Sequence, residues 1–255
     1  GTKEIPAEAL YGVQSARGFE NFKISGRLMN DYPNFIKGMA LTKKGAAIAN
    51  HKQGKLTDEQ FKAIAQACDE LYEGKHHEFF LSDMIQGGAG TTVNMNANEV
   101  LANRALEIMG KEHGQYEFCS PNDHLNASQS TNDAYPTAFH FGLYLENKQL
   151  VEALEKIVAS LDAKAQEFAH LLRREIANLN KAAEDLLCIN MGATAIGTGI
   201  CSEPGYSKLC TEALREITGW NVTLAEDLVE VTSDTSTLVG YSSELKRIAL
   251  KAIKI

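Results

Sequence analysis

Several things are scarce in this 255-residue sequence, and each scarcity excludes something. No Lys/Arg block exceeds two residues, and 25 basic against 33 acidic side chains leave a net charge of −8. That balance argues against nucleic acid or an anionic membrane as a partner, although a local field can still favour a small anionic substrate. The cysteines number five, an odd count without C-x-x-C spacing, as expected of reduced structural thiols in a reducing compartment. The longest uncharged run, Leu186 to Ser202, contains glycines, an asparagine and hydroxyls, and is too polar to span a bilayer. No signal-peptide pattern opens the sequence, which predicts a cytoplasmic protein. Nucleophile-elbow, P-loop and H-E-x-x-H motifs are missing, and the glycine clusters at 87–90 and 192–199 do not fit a dinucleotide fingerprint. The seven histidines lack metal-ligand spacing; His76 and His77 would diverge on a helix and read as surface residues.

What is present is helical periodicity. Residues 1–31 are irregular, and Pro33 then suits a first helical turn followed by an apolar stripe through Phe35, Ile36, Met39 and Ala46. Thr57 and Gln60 form a capping-box signature ahead of Phe61, Ile64, Cys68 and Leu71. A helix is predicted over 98–109 with Gly110 behind it, and others near 207–219 and from about 237. Few segments alternate as strands do. The fold class is all-α, a long-helix bundle with a mostly helical N-terminal domain. Helical patterning from Ala134 to Leu187 is almost unbroken, which as one rod would measure about 80 Å. A compact domain of this length has a radius of gyration of only about 18 Å. Either the rod is real and stabilised in an oligomeric bundle, or it joins two helices whose connection is missing from the sequence.

Two segments carry more small polar groups than a scaffold requires. The first is Gly87–Asn96, with Thr91 and Thr92; the second is Ser120–Asp133, ending in Ser130, Thr131, Asn132 and Asp133 ahead of the longest helix. Helix starts carry free N–H groups and partial positive charge, so they bind carboxylates or phosphates, and hydroxyls there add donors. The plainer reading is that Ser130 or Thr131 caps the helix while the asparagines make turns. His124 is open in the same way, between a structural loop histidine and a direct role.

These segments resemble the aspartase/fumarase superfamily. Gly1-Thr2-Lys3-Glu4-Ile5-Pro6-Ala7 with Tyr11-Gly12-Val13-Gln14, then Gly88–Asn96 through Asn103, Gln129–Asp133 and Asn190–Gly199 are similar to its ordered motifs across nearly the whole chain. Tyr11-Gly12-Val13-Gln14, Gly87-Gly88-Ala89-Gly90-Thr91, Asn122-Asp123-His124 and Ser130-Thr131-Asn132 resemble the aspartase branch more than the fumarases.

The resemblance implies a lyase that deaminates L-aspartate to fumarate and ammonia by removing a C3 proton through an enediolate; the alternatives are a class II fumarate hydratase or a catalytically incomplete structural relative. It implies that Ser130 and Thr131 bind the carboxylate that becomes the enediolate, and that Thr91 and Asn132 lie near the departing amine. It also implies no organic cofactor, magnesium activation in some members, no metal site in this sequence, and a homotetramer whose sites are shared between subunits. Two family elements are missing. A Gly-Arg-Thr-His/Gln segment is expected where Ala169–Leu172 passes into Arg173–Ile176, and the Gly-Ser-Ser loop with the base serine is expected beyond Ile255. The expected layout is therefore an N-terminal domain over 1–130 and part of the central bundle over 131–255. A segment of about thirty residues is expected to be omitted near 172/173, by family-length comparison, and the C-terminal domain to be absent.

Overall fold

The computed structural model describes residues 3–88, 90–162 and 166–254; the side chains of 166–168 are not described. Ala89 of the glycine-rich motif and Gly1-Thr2 lie outside these residues. Among the described residues the regular elements are helices apart from a two-residue parallel pair, β1 (Cys188–Ile189) with β2 (Thr223–Leu224), as the all-α reading expects.

Helix α1 (Val13–Asn21) falls in the stretch read as irregular. It carries no side-chain cap of its own, and its start is held by a residue far along the chain. Glu99 accepts from the N–H groups of Gly12, Gln14 and Ser15 and from the Ser15 hydroxyl at 2.5–3.0 Å. A helix stabilised by a tertiary carboxylate leaves little local signal.

Helix α2 (Pro33–Lys52) begins at Pro33 as predicted and runs through the middle of the molecule. One side packs on α3 (Asp58–Tyr72), which opens with the Thr57/Gln60 capping box and packs in turn on α4 (Thr91–Ile108). Ile36, Met39, Ile64, Leu71, Leu101 and Leu106 are all fully buried there. The other side of α2 meets α7 (Tyr206–Thr218) around Tyr206, Leu214 and Val222. Along its length α2 also packs on α5 (Thr131–Asp162). The two backbones nearly touch: a Cβ on Gly142 would sit 2.9 Å from the Phe35 Cα, and one on Gly38 would overlap the Ala138 carbonyl. This contact fixes the first half of α5, and hence its N-terminus, against α2.

The unbroken pattern of 134–187 is not one rod. It folds back between α5 and α6 (Gln166–Asp185), bringing Asn147 Nδ2 to 3.1 Å from Asn180 Oδ1 and the Tyr144 hydroxyl to 3.2 Å from Glu184. Leu154, Val158, Leu172, Ile176 and Leu179 close the seam together with α9 (Ser236–Ala252), whose Tyr241 hydroxyl donates to Asn147 Oδ1. Neither glycine nor proline marks the reversal, so it escapes a reading by periodicity. Leu172 and Arg173, where an omitted segment is expected, both lie within α6.

Two other boundaries differ from expectation. Helix α4 starts at Thr91 rather than Asn98, because the Gln86 side chain accepts from the Val93 N–H at 2.8 Å and lets the helix begin directly after Gly90. A short helix α8 (Leu228–Ser233) is capped by Asp227, which accepts from Val229 and Glu230.

Candidate functional site

The starts of α4 and α5 converge on one cleft of about 610 Å³, lined by Met84, Ile85, Gln86, Gly88, Gly90, Asn132, Tyr135, Pro136 and Thr232. The glycines permit the approach. Gly90 has φ +91°, and a Cβ on it would collide with the Tyr135 ring. The rim at Met84-Ile85 is held by Asp83, a buried carboxylate that accepts from the N–H groups of Ile24, Ser25, Gly26 and Ile85 at 2.8–3.1 Å. The Ser25 hydroxyl and these amides hold its pKa down at about 2.

Asn132 is the predicted residue that lines the cleft; its Nδ2 donates to the Ala195 carbonyl at 2.6 Å and its own carbonyl accepts from Asn190. Thr91 is the exposed first residue of α4. Ser130 and Thr131 are half-buried at the start of α5. Ser130 does cap that helix: its Oγ accepts from the Asn132 N–H at 3.2 Å, while its own N–H donates to Asp133 Oδ1 at 3.0 Å. The capping reading of Ser130 is thus correct as far as it goes, and the hydroxyl proton remains free to donate elsewhere. Neither the Thr91 nor the Thr131 backbone N–H meets an acceptor among the described residues. Two helix starts therefore present free donors and the positive ends of their dipoles at the same place.

Behind this surface lie two ionisable groups that sequence patterning did not single out as a pair. Asp133 is fully buried and ties the 190–199 loop to α5, accepting from Gly192 and Thr194 at 3.2 and 2.9 Å. Burial raises its pKa to about 6, against the pull of those hydrogen bonds and of Lys43. Lys43, on α2, is 1% exposed, and burial lowers its pKa to about 7 although Asp133 opposes the shift. Its Nζ donates to Asn126 Oδ1 and Gln129 Oε1 at 3.2 and 2.9 Å. A lysine inside a helical apolar stripe gives no sequence signal of its own; only the packing reveals that it serves the polar loop.

His124 is tied into its own loop. It lies in a single π turn, Pro121–Leu125, where its Nδ1 accepts from the Ser120 N–H at 2.7 Å and burial lowers its pKa. His76 and His77 are half-buried and contact Glu70 and the Leu71 carbonyl, respectively. Among the described residues no group of three or more His, Cys, Asp or Glu side chains could hold a metal ion, and no helix is long and apolar enough to cross a membrane. A second cavity, of about 460 Å³, opens beside Tyr11, Glu99 and Tyr116. Its one buried carboxylate is Glu99, which is already committed to α1, so the cleft at the two helix starts is the stronger candidate.

Comparison with known proteins identifies relatives of the whole chain. Aspartate ammonia-lyase of Pseudomonas canavaninivorans is 42% identical over 282 aligned positions, which take in 100% of this chain and 60% of the relative. The Escherichia coli K12 protein of the same name is 43% identical, with 100% and 59% covered. The chain thus spans about 60% of the length of these curated relatives. A cobalt-bound fumarate lyase:delta crystallin from Brucella melitensis superposes with a TM-score of 0.96 at 39% identity, covering 98% of this chain and 60% of that one. A class II fumarase from Schistosoma mansoni shares the fold, with a TM-score of 0.83 at 24% identity, covering 97% and 60%. The sequence model of a family described as lyases matches residues 1–173 and 168–255, two stretches that meet within α6. The chain belongs to this lyase family.

Proposed function

We propose that this chain supplies the carboxylate-binding half of an enzyme that eliminates ammonia from L-aspartate to give fumarate. The observation that carries the reading is the convergence of two helix starts, with free N–H groups at Thr91 and Thr131 and hydroxyls at Thr91, Ser130 and Thr131, beside one open cleft. The identity of 42–43% to aspartate ammonia-lyases supports the choice of substrate.

The chemistry explains why such donors are needed. A C–H beside a carboxylate is a very weak acid, and its conjugate base persists only as an enediolate with two negative charges on the former carboxylate. Donors aimed at the oxygens where that charge grows stabilise it by roughly 2.7–4 kcal/mol each. In the cleft, Ser130 and Thr131 hold that carboxylate by hydroxyl and backbone N–H, while Thr91 and Asn132 face the amine-bearing carbon. As the C3–H bond breaks, its electron pair enters the enediolate; when the carboxylate re-forms, that pair makes the C=C bond and the C–N bond breaks to release ammonia. No side chain lining the cleft is a ready base: Tyr135 is the only one with an ionisable proton, and burial raises its pKa. By the resemblance, the base is expected to be the serine of a Gly-Ser-Ser loop.

We further infer that the relatives' additional positions, about 27 over the aligned length, enter near residues 168–173, where the two family matches meet. Assembly into a homotetramer through the α5–α6–α9 bundle fits the exposed Ile157, Val239 and Leu250.

The test is turnover by the purified protein at the full length of its curated relatives, of which this chain spans about 60%. The reading expects fumarate's ultraviolet absorbance to appear with L-aspartate, in step with released ammonia. Fumarate formed from L-malate but not from L-aspartate would make the protein a hydratase instead.

A further inference from the structure

The polar groups behind the cleft have a fixed direction, and following it identifies a residue outside the predicted set. The starting point is Lys43. Its Nζ carries N–H donors in either protonation state and meets two side-chain amides through their oxygens. One is Gln129 Oε1; the Gln129 Nε2 confirms that orientation by donating to the carbonyls of Leu125 and Ala127 at 2.9 and 3.0 Å. The other is Asn126 Oδ1. Because Asn126 presents an oxygen here, the neighbouring amides must turn their nitrogens towards it: Asn94 Nδ2 at 3.1 Å and Asn98 Nδ2 at 3.2 Å. The second N–H of Asn94 then points at Thr131 Oγ1, also at 3.1 Å. Thr131 can only accept from it. The Thr131 hydroxyl proton is thereby turned away from Asn94, and no acceptor among the described residues takes it.

We propose that Asn94 is a positioning residue that holds the Thr131 hydroxyl as an obligate donor to a carboxylate bound at the starts of α4 and α5, with the Lys43 ammonium setting the direction of the chain through Asn126. This inference rests on the carboxylate-binding reading above and adds a component to it. A free hydroxyl rotor samples both donor and acceptor orientations and must be ordered when ligand arrives. A rotor with its lone pair occupied is already ordered, which is preorganisation in its simplest form. Asn94 is 1% exposed, so it acts only through Thr131.

The test is a double-mutant cycle on the whole chain, with succinate as the dicarboxylate probe and calorimetry as the readout. Asn94→Ala and Thr131→Val are each expected to weaken succinate binding about tenfold, the scale of one hydrogen bond to a charged group. In the Thr131→Val background, Asn94→Ala should cost no more than about twofold, because its target is gone. In a Thr131→Ser background the hydroxyl returns, and so should the full Asn94→Ala loss. Asn94→Ser provides a second variant, too short to reach Thr131, should Asn94→Ala fail to fold. Equal losses from the Asn94 variants in the wild-type and Thr131→Val backgrounds would overturn the proposal, as would a wild-type affinity in both Asn94 variants. If the wild-type chain binds no succinate, the carboxylate-binding reading fails and this one with it; binding with additive losses removes only the role of Asn94.

Discussion

Lys43 offers the most quantitative prediction. Its ammonium is buried between α2 and the 126–129 loop, and its pKa falls from 10.5 to about 7. The unfolded chain keeps this group protonated up to about pH 10.5, so between about 7 and 10.5 the unfolded state binds the extra proton. Stability therefore rises with pH across that window, with a slope of about 1.36 kcal/mol per pH unit and a total on the order of 5 kcal/mol. The contribution is missing below about pH 7, where both states carry the proton and the folded one suffers the burial. Buried Cys68 and Cys119, with pKa values pushed up to about 12, act in the opposite sense above the ordinary thiol range. The wild-type curve alone thus mixes effects, and its difference from Lys43→Met isolates the lysine. Urea unfolding at intervals from about pH 7.5 to 10 should show the wild type gaining on Lys43→Met by roughly 1 kcal/mol per pH unit. Parallel curves for the two proteins would mean that the ammonium is not buried as described, and would also remove the fixed root of the Asn126–Asn94–Thr131 chain.

Three further outcomes follow from the same geometry. Ser130→Ala should cost about 1 kcal/mol of stability as a lost cap, and Ser130→Asp should recover it while still losing succinate binding; recovery of both by aspartate would make Ser130 a cap and nothing else. Gly142→Ala should push α5 away from Phe35 on α2, destabilising the chain by about 1–3 kcal/mol in chemical denaturation; unchanged stability would contradict the close backbone approach. Asp83, with a folded pKa of about 2, contributes stability that is present above its ordinary carboxylate value and lost as pH falls through about 2. Amide exchange at Ile24–Gly26 should accelerate below about pH 4 in the wild type, relative to intrinsic rates, and at all pH values in Asp83→Asn.

Much of this architecture could be read from the residues, and the exceptions have physical causes. Periodicity and caps placed α2, α3, α7 and α9 because each carries its own apolar stripe or a local signal such as Pro33 or Thr57/Gln60. Helix α1 was missed because its stabilising acceptor, Glu99, lies 84–87 residues away. The fold-back between α5 and α6 was missed because an antiparallel pair in one bundle shares one stripe pattern, and no breaker residue marks the turn. The overlong rod also prompted the expectation of an omitted segment near 172/173, and the two family matches meet at 168–173.

In the site, the hydroxyl and amide residues stood out by density alone, and Asn132 does line the cleft. What could not be read is the layer beneath. Lys43 looks like one more charged residue between apolar neighbours, and Asn94, Asn98 and Asn126 look like turn or helix-surface amides until the fold brings them together.

The claim on which the rest depends is that the two helix starts form a binding surface for a dicarboxylate. The direct measurement is a succinate titration followed by amide chemical shifts, with acetate at matched ionic strength as the control. The account predicts saturable shifts at Gly90–Thr92 and Thr131–Asn132 with succinate, and much weaker ones with acetate. Shifts confined to the cavity beside Glu99, or no saturable response at either helix start, would contradict it.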